Sequence, residues 1–535
     1  MKGLDVSNSE SQYVLAIDLG TSGPKVALAT LQGKIIEAAA GSMETILLPH
    51  GGAEQDPDVW WQAIKAVTRD LLAKTAVQRE KIVAVSCTTQ WSGTVAVDKD
   101  GNHLMNAIIW LDSRGAAQIP EITGGPIKVS GYNINRLLTW IRLTGGIAGH
   151  SGKDSIAHIL FIKHEHPNLY KATYKFLEPK DYLNMRLTGR FAASFESITL
   201  HWITDNRNIN DIQYSDKLLH LSGVEREKFP DLKRAIDVLG PIKPEVAKEL
   251  GLPEHVQVVM GTPDVHSAAI GSAAVRDYKA HLYVGTSSWL SCHVPFKKTD
   301  VFHNIAALPS AIPGRFLVIN EQETAGACIR YLKENILFHP DELKQELEQA
   351  NVYQVFDRIV ERTPAGSDRV IFTPWLNGER TPVDDHLSRG AFYNLSLRHN
   401  REHLIRAVFE GVAFNSRWLL GYVEKFVGRP FPAINIIGGG AISDIWCQIH
   451  ADILNRPIRQ MKDPIQANAR GAAILAGVAL GATSFEKAAD QIEMNREYLP
   501  NPAHRHLYDE LFETFLKIYK HNQKIYAHLN RRDGG

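Results

Sequence analysis

Tyr13-Val14-Leu15-Ala16-Ile17-Asp18-Leu19-Gly20-Thr21-Ser22-Gly23 is an apolar run broken by one aspartate and closed by a small, polar turn. The run reads as a strand through Ile17 that ends at Asp18, and Lys25–Thr30 reads as a second strand beyond the turn. Gln32-Gly33 marks the next turn and Lys34–Ala40 a third strand, so the chain opens as an antiparallel meander. Asp56-Pro57 then starts a helix, a capping side chain followed by proline at the first helical position. Trp60, Ile64, Val67 and Leu71 continue it at helical spacing. Ile82–Cys87 and Thr94–Val97 are short strands again, the latter closed by the turn Asp98–Gly101. Meander, helix and further strands make an α/β module.

Around that module lies a chain of 535 residues, enough for more than one domain at roughly 100–200 residues each. Apolar residues are 44% and charged residues 22%, which excludes a disordered chain, a collagen-like repeat and a coiled coil. Lys+Arg and Asp+Glu are both 59, so the formal charge is zero, which argues against a general nucleic-acid binder. Cys87, Cys292, Cys328 and Cys447 are far apart, without CxxC or zinc spacing, and fit a reduced cytoplasmic compartment. Residues 1–12 carry Asp5 and Glu10 before any apolar run, unlike a signal peptide. The apolar stretch Gly471–Ala482 is too short to span a bilayer, so no membrane partner is expected. Residues 130–250 read as mostly helical and polar. Val256–Gly261, Leu282–Val284 and Leu290–Val294 read as strands of a second half. Asn400 caps a long helix with Leu404, Val408, Val412, Leu419 and Val423 on its apolar stripe and Glu402, Arg406 and Glu410 stacked on the other face. Leu507–Leu529 reads as a terminal helix, frayed at 531–535.

The chemistry begins at the first turn. Gly20 and Gly23 permit close backbone approach of an anion, Thr21 and Ser22 offer hydroxyls, and Asp18 suits Mg²⁺, which uses one or two carboxylates. Alone, the segment reads better as a Gly-rich hairpin turn with an ordinary aspartate. A second Gly-Thr-Ser, Gly285-Thr286-Ser287, again follows an apolar strand, with Tyr283 where the first copy has Asp18. Ile436-Ile437-Gly438-Gly439-Gly440 is a strand running into three glycines, where a flat ring or ribose can lie against bare backbone. A dinucleotide G-x-G-x-x-G loop would need glycine at position 443, which is Ser443, and no Walker A pattern occurs.

These motifs, in this order, resemble the actin-like ATPase superfamily, and the early element order is similar to a ribonuclease H-like module. Gly261-Thr262-Pro263-Asp264-Val265-His266-Ser267 resembles the catalytic segment of the FGGY carbohydrate kinases. Trp110–Arg114, Glu178–Leu183 with Leu187-Thr188-Gly189, and Gly378-Glu379-Arg380-Thr381-Pro382 resemble further segments of that family, nearest to its xylulokinase-like branch. The resemblance implies two ribonuclease H-like domains with a cleft between them: 1–260 with the sugar site and first phosphate hairpin, 261–485 with the base, second hairpin and adenosine motif, and 486–535 as a helical tail.

It also implies transfer of the γ-phosphoryl group of ATP, with Mg²⁺, to a sugar hydroxyl. Asp264 matches the general base. Gly20, Thr21, Ser22, Gly285, Thr286 and Ser287 match the phosphate hairpins, Gly438, Gly439 and Gly440 the adenosine motif, and Asp18 and Asp264 the magnesium carboxylates. Gln90, Trp91, Ser92, Asp112, Arg114, Asp264 and His266 match or adjoin the sugar site. The family's Gln-Met-His-Gly is here Gln90-Trp91-Ser92-Gly93, and its Asp-Asn is Asp264-Val265; both changes remove polar contacts. The expected acceptor is a ketopentose such as D-xylulose, the alternatives being another sugar, a polyol, a sugar acid, or a non-catalytic regulatory pseudokinase. A homodimer is compatible with the resemblance.

Overall fold

The computed structural model describes residues 12–341 and 351–530. The readings made of residues 1–11 and 531–535 lie outside the described residues. The opening meander forms as β1 (Tyr13–Gly20), β2 (Gly23–Thr30) and β3 (Ile35–Ala40), antiparallel and in continuous register from Tyr13↔Thr30 to Gly20↔Gly23. The helix α1 (Pro57–Lys74) starts where the proline predicts, and the Asp56 side chain accepts the Asp58 N–H. β4 (Ile82–Thr89) adds parallel to β1. After the helix α2 (Pro179–Thr188), β5 (Val238–Pro241) and β6 (Gln257–Val259) complete a sheet of order β3-β2-β1-β4-β6-β5.

The connecting helix α3 (Asp264–Gly271) leads from this sheet into a second one. There β7 (Ala280–Val284) and β8 (Ser288–Val294) form the hairpin, followed by β9 (Thr299–Asp300), β10 (Ile305–Pro309) and β11 (Phe316–Ile319). The long helix α4 (Arg401–Val427) crosses over to β12 (Ile434–Ile437). Then come α5 (Asp444–Leu454), β13 (Ile458–Met461), α6 (Ala467–Ala479), β14 (Met494–Tyr498) and α7 (Arg505–Asn530). The sheet order is β9-β10-β11-β8-β7-β12-β13-β14, with β7, β12 and β13 parallel. Both halves thus share one plan: a hairpin whose first strand is flanked by a parallel crossover strand.

Three expectations change. Residues 130–250 mix helices with short strands such as Lys175–Leu177, Ala192–Ser194 and Asp231–Lys233, and their packing is not mainly polar, since Trp140, Leu160, Phe176, Trp202 and Phe229 form a core of their own. The strand Val95–Val97 pairs with Lys175–Leu177 outside the main sheet. The charged face of α4 is buried at Arg406 and Glu410. Glu410 accepts from Arg406 (2.7 Å), the Gly366 N–H (2.9 Å), Ser367 (2.8 Å) and Tyr508 of α7 (2.8 Å). Four donors offset the desolvation of that carboxylate, so the charges fasten the terminal helix instead of facing water. All four cysteines are free and buried, Cys87 in the first sheet's core and Cys292, Cys328 and Cys447 in the second's. Among the described residues, no helix is long and apolar enough to cross a membrane.

Candidate active site

Both hairpins point into one cleft of about 1240 Å³ between the two sheets. Gly20, Thr21, Ser22, Gly285, Thr286, Ser287, Gly438, Gly439 and Gly440 all line it, with Asp18 and Asp264 between them. The first turn is braced from behind. The Thr21 hydroxyl donates to Gln90 Oε1 (2.9 Å) and accepts from the Trp110 indole N–H (2.8 Å). Gln55 Nε2 donates to the Thr21 carbonyl (2.8 Å), and Gln90 Nε2 to Gln55 Oε1 (2.9 Å). Gln90, expected at the sugar, is therefore engaged in holding the hairpin. Ser22 stays exposed at the tip. In the second turn the Gly285 N–H closes on the Ser287 carbonyl (2.9 Å), and Thr286 accepts from Arg330 (2.9 Å). Gly438 has φ +91° and lies against the Val284 carbonyl, 2.6 Å from where a Cβ would stand, so only glycine fits beside the second hairpin. Gly439 next to it is exposed, with nothing within 4 Å of a built Cβ.

Asp18, at the end of β1, is buried, and its Oδ2 takes the Lys25 ammonium of β2 at 2.8 Å. The pleat sets this pair, because Asp18 and Lys25 are cross-strand partners. The Asp18 charge, outweighing burial, holds Lys25 above its ordinary value. Asp18 Oδ1 is buried without a partner among the described residues, an acceptor of the kind a hydrated divalent cation uses. Asp264 is the first residue of α3, and its Oδ1 accepts the Val265 N–H at 2.8 Å. Burial, then the negative charges of Asp18 and Glu321, raise its carboxyl to about 8, against the opposing pull of the Val265 N–H and Lys25. It keeps part of its surface open to the cleft.

Beyond Asp264 the wall joins Trp91, Ser92 and Arg380 to groups that no local motif announced. Lys153 reaches across to Glu323 Oε1 (3.2 Å), and Arg380 binds Glu323 Oε1 through Nε and Nη2 (3.1 and 2.9 Å) and Glu321 Oε2 through Nη1 (2.6 Å). Asp154 accepts from the Trp202 indole N–H (2.9 Å) and the Gly149 N–H (2.7 Å). Trp91 and Ser92 line this end, Trp91 donating to the Ser197 carbonyl (3.0 Å) and Ser92 to the Lys153 carbonyl (2.7 Å). Trp110 and Arg380 were visible inside quoted motifs. Lys25, Lys153, Asp154, Trp202, Glu321 and Glu323 carried no such signal.

Three expected sugar contacts stand behind the wall. Asp112 accepts the Ala53 N–H (2.8 Å) and Arg114 Nε (2.9 Å), and Arg114 also pairs with Glu54 (2.6 Å). His266 is buried, with Nε2 donating to the Pro309 carbonyl (3.1 Å) and its ring edge-on to Trp91 at 5.3 Å. Burial lowers its imidazole to about 3, so it is neutral and supports Trp91 from the core.

Residues 13–271 match the FGGY family of carbohydrate kinases, N-terminal domain, and residues 280–480 match its C-terminal domain. Xylulose kinase of Bacillus subtilis (strain 168) is 29% identical over 522 residues, 96% of this chain and 98% of that protein. The crystal structure of gluconate kinase from Lactobacillus acidophilus superposes with a TM-score of 0.82 at 26% identity, covering 97% of this chain and 100% of that one. The ligand-bound xylulose kinase from Lactobacillus acidophilus gives 0.82 at 25%, with the same coverage.

Proposed function

Given that this chain belongs to the FGGY family of carbohydrate kinases and is an ATP-dependent sugar kinase, we propose that its acceptor is a neutral ketopentose such as D-xylulose and that Asp264 is its general base. The observation that carries the acceptor's class is charge. Around Asp264 the cations are matched by acids, Lys25 by Asp18, and Lys153 and Arg380 by Glu321 and Glu323, and Asp154 and Asp384 add further acid. A sugar acid would bring its carboxylate into a field where each of these three cations already faces an acid, whereas hydroxyls find both donors and acceptors. Trp91 and Trp202 offer flat apolar faces for the sugar carbons.

In this reading the backbone and hydroxyls of Gly20–Ser22 and Gly285–Ser287 hold the phosphates, and Gly438–Gly440 leave room for the adenosine. Asp18, through its free Oδ1, and Asp264 are the carboxylates that fit a magnesium ion, which when bound offsets charge on the β- and γ-phosphates. Asp264 takes the proton of the attacking hydroxyl. That oxygen bonds to the γ-phosphorus while the bond from phosphorus to the departing ADP oxygen breaks, leaving the proton on Asp264. The cleft walls keep water from the same phosphorus. The free buried thiols suit a reduced cytoplasmic setting.

A coupled ADP-release assay over D-xylulose, D-gluconate and glycerol tests both parts. D-xylulose should be turned over best, and faster use of gluconate would sink the neutral-sugar reading. Asp264→Asn should lower kcat about 10²–10⁴-fold, the span of general-base catalysis, with ADP affinity kept. Near-wild-type transfer by that variant would remove Asp264 from the role, and no turnover of any acceptor by the wild type would favour the pseudokinase.

A further inference from the structure

Tyr283 is absorbed by none of the roles above, yet it stands at the centre of the site. In the second Gly-Thr-Ser segment it holds the position that Asp18 holds in the first, two residues before the hairpin glycine. The β7–β8 ladder sets it opposite Trp289, and the two rings stack face to face, centroids 3.9 Å apart and planes within 6°. The Trp289 indole N–H is in turn tied to His281 Nε2 at 3.2 Å. Burial keeps that imidazole neutral, at about 3, so its Nε2 can accept. The phenol ring is thereby clamped across the turn. A Cβ built on Gly285 would lie 2.6 Å from the Tyr283 hydroxyl, so the oxygen sits directly over the glycine of the phosphate hairpin. Tyr283 lines the cleft half-buried, and its hydroxyl has no hydrogen-bond partner among the described residues. Lys25, Asp18 and Asp264 are the charged groups that act on it.

We propose that the Tyr283 hydroxyl donates a hydrogen bond to a non-bridging oxygen of the γ-phosphoryl group, making it a further catalytic residue. The assignment rests on the kinase reading. Its logic is the asymmetry of the repeat. An ionised carboxylate at position 18 can only accept, which suits a cation; a phenol at position 283 can donate, which suits a phosphoryl oxygen. Among the phosphates, the γ group is the one that must lie between the Asp18–Lys25 pair and the base Asp264, the charged groups that act on the Tyr283 hydroxyl. Burial raises the phenol to about 12, so the proton to be donated is present throughout the neutral range.

Tyr283→Phe keeps the ring, its stack on Trp289 and the cover over Gly285, and removes only the donor. Titration calorimetry without sugar compares β,γ-imido-ATP with ADP on both proteins. The variant should bind the triphosphate about tenfold more weakly, the loss of one hydrogen bond to a charged group, with ADP affinity changed less than about twofold. Equal effects on the two nucleotides, or none, would overturn the proposal. At saturating D-xylulose, kcat should fall about 10²–10³-fold, the weight of one transition-state donor, with the sugar KM unchanged; an unchanged kcat would also overturn it. If the wild type phosphorylates no sugar, the kinase reading fails, while the calorimetry still decides the role of Tyr283.

Discussion

Asp264 gains its character from its neighbours. A carboxyl at about 8 is protonated in the free enzyme at neutral pH and in that form accepts no proton. The second-order constant kcat/KM at low nucleotide and low sugar should therefore rise about tenfold per pH unit below that value and level off above it. A pH–rate profile checks this, and a flat kcat/KM across about pH 6–9 would exclude Asp264 as the titrating base. At this scale the sequence is legible where chemistry is contiguous. Asp18–Ser22 and Gly438–Gly440 are read from single strand-turn segments because what marks them is local backbone geometry. Lys153 and Glu323 are 170 residues apart and meet only when the sheets face each other. Asp112 and Arg114 stand out in a motif, but the fold turns them to the Ala53 N–H and Glu54, because a buried carboxylate takes the nearest donors.

Among the elements, the contact between α3 and α6 decides how firmly Asp264, the proposed base, is held. A Cβ on Gly471 would stand 2.0 Å from the Ser267 carbonyl, and one on Gly271 1.8 Å from the Ala467 carbonyl. The two helices therefore meet backbone to backbone, one turn below Asp264. Gly471→Ala should cost about 1–3 kcal/mol through overpacking and lower kcat by shifting α3. Gly421, in the middle of α4, is the counterpart, with nothing within 4 Å of a built Cβ. Gly421→Ala should add about 0.5–1 kcal/mol by helix propensity and leave kcat alone. Denaturant unfolding with parallel kinetics reads both, and equal effects at the two positions would contradict the packing argument. The close packing of α6 is suggested by its alanines and glycines, but its partner is not. Likewise the i,i+4 charges of α4 predict the helix and its Asn400 cap, yet the same spacing serves a face toward water or toward the Tyr508 hydroxyl.

In the whole molecule, one strand plan is used twice, and the repeated Gly-Thr-Ser is the trace of it in sequence. The opening meander and the strands of the second half were legible because strands and turns are local; the strand order and the facing of the two sheets were not, since they are fixed by contacts between distant segments such as α6 against β1 and β4. The placement of the four thiols across these halves gives the protein a built-in record of its own opening. Burial raises Cys87 and Cys328 to about 12, and raises Cys292 and Cys447 as well, so the folded chain offers an alkylating reagent neither access nor thiolate. Native protein should stay unmodified while the denatured chain takes label at four sites. Pulsed alkylation in mild denaturant, with the labelled peptides mapped, then tells which half yields first: label at Cys87 alone marks the first sheet, label at Cys292, Cys328 and Cys447 the second. Simultaneous labelling at all four would mean that the halves come apart as one cooperative unit.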